Sequence, residues 1–172
     1  MKRINIEDQL SEICLKCGMC CDGTLFNKAS IKDEADKKIA QNLTLETFTE
    51  ADGKHFFKLA CHHFDQCCSI YDKIRPKICG IYFCKPLKDV KQGKLHIIKA
   101  QEMIDKALEY RLEVLKLAYQ IDIYKKHNIR QLSDEILPHP TEEMKKNREL
   151  WLKLIGFIGV LSKITGNQKI IK

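Results

Sequence analysis

Aromatic residues are scarce in this chain, at 8% of its 172 residues, and Trp151 is its one tryptophan. Long hydrophobic runs are missing too. The most apolar stretch, Leu150 to Leu161, spans 12 residues and contains Lys153. Crossing a bilayer as a helix takes about 20 apolar residues. The stretch therefore reads as a buried core helix, and no membrane span is expected. The chain contains no internal repeat, no glycine-rich phosphate loop and no dinucleotide fingerprint, which removes the common nucleotide-binding classes. Its opening residues, Met1 to Asp8, include no apolar h-region and do not read as a signal peptide. Cysteine is absent from the whole second half: all nine lie between Cys14 and Cys84.

The net charge of +7 is divided unevenly. Residues 1–85 hold 13 Lys/Arg against 12 Asp/Glu, and residues 86–172 hold 17 against 11. A nucleic-acid surface calls for a basic stripe with interleaved aromatics. Here the lysines are scattered among acids, so a solvated helical surface is expected and nucleic acid is not an expected partner.

What the chain does have is the stretch Cys14-Leu15-Lys16-Cys17-Gly18-Met19-Cys20-Cys21, four thiols in eight residues. A free thiol has a pKa of about 8.5, so holding one as thiolate at neutral pH costs about 2 kcal/mol, and four cost roughly 8. Structural zinc contributes roughly 10–16 kcal/mol in small Cys-rich peptides, enough to offset that cost. Disulfides are the rival account. Against them stand the odd cysteine number and the vicinal Cys20-Cys21, whose adjacent Cα atoms are too close for good bridge geometry. A cytoplasmic, reducing compartment is expected, where tight cysteine spacing reads as metal-binding or catalytic.

Cys14, Cys17 and Cys20 form C-x2-C-x2-C, the spacing of the first three ligands in bacterial-type 4Fe–4S ferredoxins. The fourth cysteine follows at once, without the spacer and proline of that run. Either CxxC pair would serve a zinc knuckle equally well. Spacing therefore leaves an iron–sulfur cluster, iron or zinc open as the cofactor. Adjacent cysteines seldom face one ion, so Cys20 and Cys21 are expected in different ligand sets or in different shells. The later cysteines must close the site, and closing the loop to Cys61 costs on the order of 3 kcal/mol. His62 and His63 read as bystanders beside so many softer thiols. Cys67 reads as a buried thiol that is not a ligand. Arg75 reads either as a hydrogen-bond donor to ligand sulfurs or as a salt bridge pinning its loop. Asp22 reads as a cap on the first cysteine turn, His139 as a loop residue and Trp151 as core.

The expected fold is α+β and predominantly helical. An irregular Cys-rich metal-binding lobe with a small β-hairpin, residues 1–90, is followed by a helical region, residues 91–172, packed against it. A helical turn or two is expected around Ile4, Ile6, Leu10 and Ile13. Gly18 suits a turn of positive φ. Ser30 to Asp33 has the form of a capping box opening a helix over 31–41. Thr44–Thr49 and His55–Ala60 alternate around Asp52-Gly53, a hairpin signal. Pro76 opens a short helix through Ile81. From about residue 96, Ile104, Leu108, Leu112, Leu115 and Tyr119 form an amphipathic stripe, with Glu102 paired to Lys106. Weaker helices are expected near 121–127 and 133–137. A last helix runs from Thr141, its N-cap, to about Thr165, with Gly166 at its C-cap.

The run Cys14 to Phe26 resembles the opening of the CxxCxxCC cysteine-cluster, or YkgJ-like, family, described as zinc- or iron-chelating. The second half of that motif is matched by Cys61, Cys68-Ser69-Ile70-Tyr71, Arg75-Pro76-Lys77-Ile78-Cys79 and Cys84. The resemblance covers about residues 14–86. It implies metal ligation by Cys14, Cys17, Cys20, Cys21, Cys61, Cys68, Cys79 and Cys84, with Tyr71 and Arg75 in supporting roles and Cys67 as the extra thiol. Three residues separate Tyr71 from Arg75 where the family usually has two. Gly80 stands where an arginine commonly follows the cysteine. A similar domain occurs in flagellin lysine N-methylases, but this chain has no recognisable methyl-donor motif. The leading expectation is a metal-binding protein with a redox, metal-handling or modification role. The alternatives are a zinc-stapled interaction module that engages a protein partner and, with less support, a lysine N-methylase-like enzyme.

Overall fold

The computed structural model describes residues 5–137, 145 and 147–166. Its fold is 55% helical, with seven helices and a small three-stranded antiparallel sheet among the described residues, the predominantly helical α+β class expected. The chain separates into two compact units, residues 14–83 and residues 1–13 with 84–172. The boundary falls within the first helix, α1 (Ile6–Cys17), which is longer than the turn or two expected. Ile4, His139 and the Thr141 cap lie outside the described residues.

In the unit 14–83, β1 (Lys28–Ser30), β2 (Thr47–Thr49) and β3 (His55–Lys58) form a sheet in the order β1-β3-β2. The predicted hairpin is β2–β3, with Phe48 opposite Phe56. Its turn is closed by Gly53 N–H donating to the Glu50 carbonyl at 2.9 Å. Ser30 is not a helix cap. It lies on β1 opposite Phe56, and α2 (Glu34–Asn42) starts later. Asp33 is the N-cap there, because its side chain accepts the Asp36 amide at 2.9 Å. Phe57, Ile31, Ala40 and Leu45 form the core between sheet and helix, with Cys61 and Ile78 packed at its edge. β4 (Phe64–Asp65) and β5 (Cys67–Cys68) make a tight two-stranded ladder, followed by α3 (Lys77–Ile81), whose N-cap is Pro76.

The other unit is built on α4 (Lys85–Lys91), α5 (Ile97–Ala118), α6 (Ile129–Ile136) and α7 (Arg148–Thr165), with a single 3-10 turn at Asp122–Tyr124. The apolar run Leu150–Leu161 is the core helix expected: Leu154, Phe157 and Leu161 are buried. Gly166 ends α7 at φ 72, as expected of a C-cap. The buried face of α5 is Ala100, Ile104, Ala107, Val114 and Ala118. Of the expected stripe, Ile104 is buried, Leu108 and Leu115 are half-buried, and Leu112 and Tyr119 are exposed, at 53% and 47%. Glu102 pairs with Lys99 at 2.8 Å, not with Lys106. Asn128 and Gln131 form a capping box that starts α6 four residues earlier than expected. Trp151 is half-buried, not core. No helix among the described residues is long and apolar enough to cross a membrane.

Candidate metal centre

The first cysteine motif begins on a helix. Cys14 and Cys17 lie on the last turn of α1, and Gly18 ends it at φ 62. Only a residue without a Cβ adopts that conformation cheaply. A Cβ at Gly18 would overlap Cζ of Phe64, so the tip of the Phe64 ring lies directly against the glycine. The chain then turns back: Cys21 and Asp22 N–H both donate to the Gly18 carbonyl, at 2.8 and 3.0 Å. Asp22 accepts the Thr24 amide at 2.8 Å, closing the turn as a capping residue would. Gly18→Ala is expected to cost at least about 1–2 kcal/mol from φ alone, with displacement of the Phe64 ring added. A melting temperature unchanged in that variant would contradict the packing.

The turn hands Cys21 directly to the second cysteine group. Cys61 N–H donates to the Cys21 carbonyl at 2.7 Å, joining segments 40 residues apart. The electrostatics extend that link. Burial, then the neighbouring thiols Cys79, Cys61 and Cys68, push the Cys21 thiol up to about 12. Cys79 is exposed as a residue, but burial of its sulfur raises the thiol to about 11, with Arg75 opposing the rise and Cys61 and Cys68 adding to it. Burial and then Cys68 also raise Cys61, while the His63 amide opposes them. Four thiols from four segments thus lie within one another's field. They are near one another without sharing a point: among the described residues, no three His, Cys, Asp or Glu side chains are already arranged to hold an ion.

Cys14, Cys17 and Cys20 are half-buried at the start of this unit. Cys84 belongs to the helical unit, where it precedes α4 and burial raises its thiol. Cys67, expected to be buried, is exposed on β5. Arg75 stacks over the Tyr71 ring at 4.2 Å, so the extra residue between them does not separate their side chains. His62 and His63 stack on each other with centroids 4.1 Å apart and bond to the α2 end, His62 to Thr44 Oγ1 and His63 to the Leu43 carbonyl. No disulfide joins any of the nine cysteines.

One structurally important residue escaped sequence reasoning. Asp36 is 0% exposed, and its carboxylate joins the starts of α2 and α3. A short acidic stretch on a helix surface carries no mark of which member is buried.

The donor set fits a thiophilic ion: the anions of Cys21, Cys61, Cys68 and Cys79 are mutually unfavourable when bare, and a cation removes that repulsion. Residues 13–107, more than half of the chain, match the CxxCxxCC family model, described as "Putative zinc- or iron-chelating domain". No curated protein and no solved structure matches the chain. With that match spanning the cysteine motifs just described, the chain belongs to the CxxCxxCC family of zinc- or iron-chelating domains.

Proposed function

We propose that this protein binds zinc or iron, as a single ion or an iron–sulfur cluster, with Cys21, Cys61, Cys68 and Cys79 as one four-sulfur ligand set. Cys14, Cys17 and Cys20 supply further donors, and Arg75, fixed by Tyr71, supports the Cys79 thiolate. The observation that carries this reading is the convergence of the segments that bear these cysteines, with the Cys61 amide on the Cys21 carbonyl at 2.7 Å and Cys61, Cys68 and Cys79 all close enough to Cys21 to disfavour its thiolate. Four thiolates are the donor set of closed zinc sites and of iron–sulfur centres. An iron–sulfur cluster there would give the protein a redox role. Zinc would make the same residues a structural staple.

Metal and sulfide analysis of protein purified without oxygen, with its visible spectrum, is the test. Zinc or iron at stoichiometric level is expected. Iron with sulfide and a broad visible band would assign a cluster, and colourless zinc would assign the staple. Protein carrying neither would overturn the reading.

The pH dependence has a definite sign. With thiols raised to about 12 and about 11, Cys21 and Cys79 are protonated at neutral pH. Each thiolate ligand must therefore release its proton when metal binds, so affinity rises with pH and is lost on acidification. Calorimetry in buffers of different ionisation enthalpy should count about 3–4 protons released per four-thiol site. A count near zero would mean that other groups bind the ion.

A further inference from the structure

We infer that Asp36 is a positioning residue of the thiolate centre, holding the first turn of α3, and with it Cys79, in place from α2. The inference rests on the proposed ligand set.

Asp36 is fully buried, yet both carboxylate oxygens are satisfied. Oδ2 accepts the Lys32 amide at 2.9 Å, and Oδ1 accepts the Lys77 amide at 2.8 Å, across 41 residues of sequence. Helix α3 has no side-chain cap of its own, because its N-cap is Pro76. Proline has neither an amide proton nor a side chain that accepts, so the Lys77 amide is the first that α3 leaves unsatisfied. Asp36 performs from a distance what an N-cap residue performs locally. The carboxylate is itself anchored: the Asp36 amide donates to Asp33 Oδ1 at 2.9 Å, and Asp33 pairs with the Lys77 ammonium. Cys79 follows two residues after Lys77, and its amide donates to the Pro76 carbonyl at 2.9 Å inside the held turn.

The direction of the charge effect separates geometry from electrostatics. A carboxylate near Cys79 disfavours its thiolate, in the same direction as burial. If Asp36 acted mainly through charge, removing the charge would tighten metal binding. If it acts by position, removing it loosens binding.

Cobalt(II) titration, followed by its thiolate charge-transfer absorbance, measures this directly. Asp36→Asn is expected to weaken cobalt(II) binding by about 10–100-fold, the usual effect of losing a partner that orients a ligand. Lys77→Pro deletes the amide donor, together with the exposed ion pair to Asp33, at a first-turn helix position that suits proline, and it is expected to weaken binding similarly. Lys77→Ala keeps the amide and loses only an exposed ion pair, so it should bind within about twofold of the parent. Unchanged or tighter binding in Asp36→Asn, or unchanged binding in Lys77→Pro, would overturn the inference. So would a lower apo melting temperature with unchanged affinity. A parent protein that takes up no cobalt(II), zinc(II) or iron(II) would instead end the ligand reading beneath it.

Discussion

Serine at position 79 should strip the protein of most of its metal affinity, whereas serine at position 67 should leave it intact. The two cysteines lie in the same unit and both are exposed as residues. Their surroundings differ. The Cys79 sulfur is desolvated and feels Arg75, Cys61 and Cys68, whereas Cys67 is exposed on β5 opposite Asp65 and is not among the thiols that act on Cys21, Cys61 or Cys79. Losing a partner that merely orients a ligand costs about 10–100-fold in affinity, so losing a ligand sulfur should exceed about 100-fold. At a fixed metal concentration of about 100 times Kd, that is up to about 2.7 kcal/mol of ligand-linked stability. Cys21→Ser and Cys61→Ser should behave like Cys79→Ser. Metal content, cobalt(II) affinity and melting temperature of the four variants decide the matter. Full metal retention in Cys79→Ser, or equal loss in Cys67→Ser, would remove these thiols from the site. Without metal, the raised thiol pKa values add stability that is fully present below about pH 9.0 and is lost as pH climbs toward about 11 to about 12. Metal-loaded protein, whose thiolates are already formed, should escape that alkaline loss.

Phe157→Ala should be among the most damaging changes in the helical unit, at about 3–5 kcal/mol. Phe157 is 0% exposed on α7 and its ring lies parallel to Tyr110 of α5, with centroids 6.3 Å apart. The same contact brings α5 close enough that a Cβ on Gly156 would sit 3.2 Å from the Tyr110 hydroxyl. Alanine at 157 leaves a ring-sized void in a contact that has little room to collapse. Leu152→Ala on the same helix, at 52% exposure, should stay within about 0.5 kcal/mol. Urea denaturation of the two variants measures the difference. A Phe157→Ala cost no larger than that of Leu152→Ala would mean that α5 and α7 do not pack through this face.

Local rules placed several elements correctly. The hairpin around Asp52-Gly53, the turn at Gly18, the helix after Pro76 and the stop at Gly166 each depend on the backbone freedom or restriction of one residue, which acts wherever the chain goes. They failed where two local options competed. Ser30 and Asp33 both suit an N-cap, and pairing of β1 with β3 took Ser30 into the sheet. On α5 the large apolar residues suggested one face, but apart from Ile104 the buried residues are Ala100, Ala107, Val114 and Ala118. Periodicity measures hydrophobicity and does not see the distance at which two helices meet.

The cysteine motifs alone determined that this chain gathers thiols for a metal, because clustered thiols at neutral pH need a cation to become ligands, and spacing records that requirement. They also carried the family. Which thiols lie within one another's field was decided by tertiary structure. Cys21, Cys61, Cys68 and Cys79 come from a turn, the segment after β3, a two-residue strand and a short helix, brought near by hydrogen bonds as distant as Cys61 to Cys21 and Lys77 to Asp36. The donor in each is a backbone amide, which every residue but proline supplies alike, so the donor side of these bonds leaves no mark in the side-chain pattern along the chain.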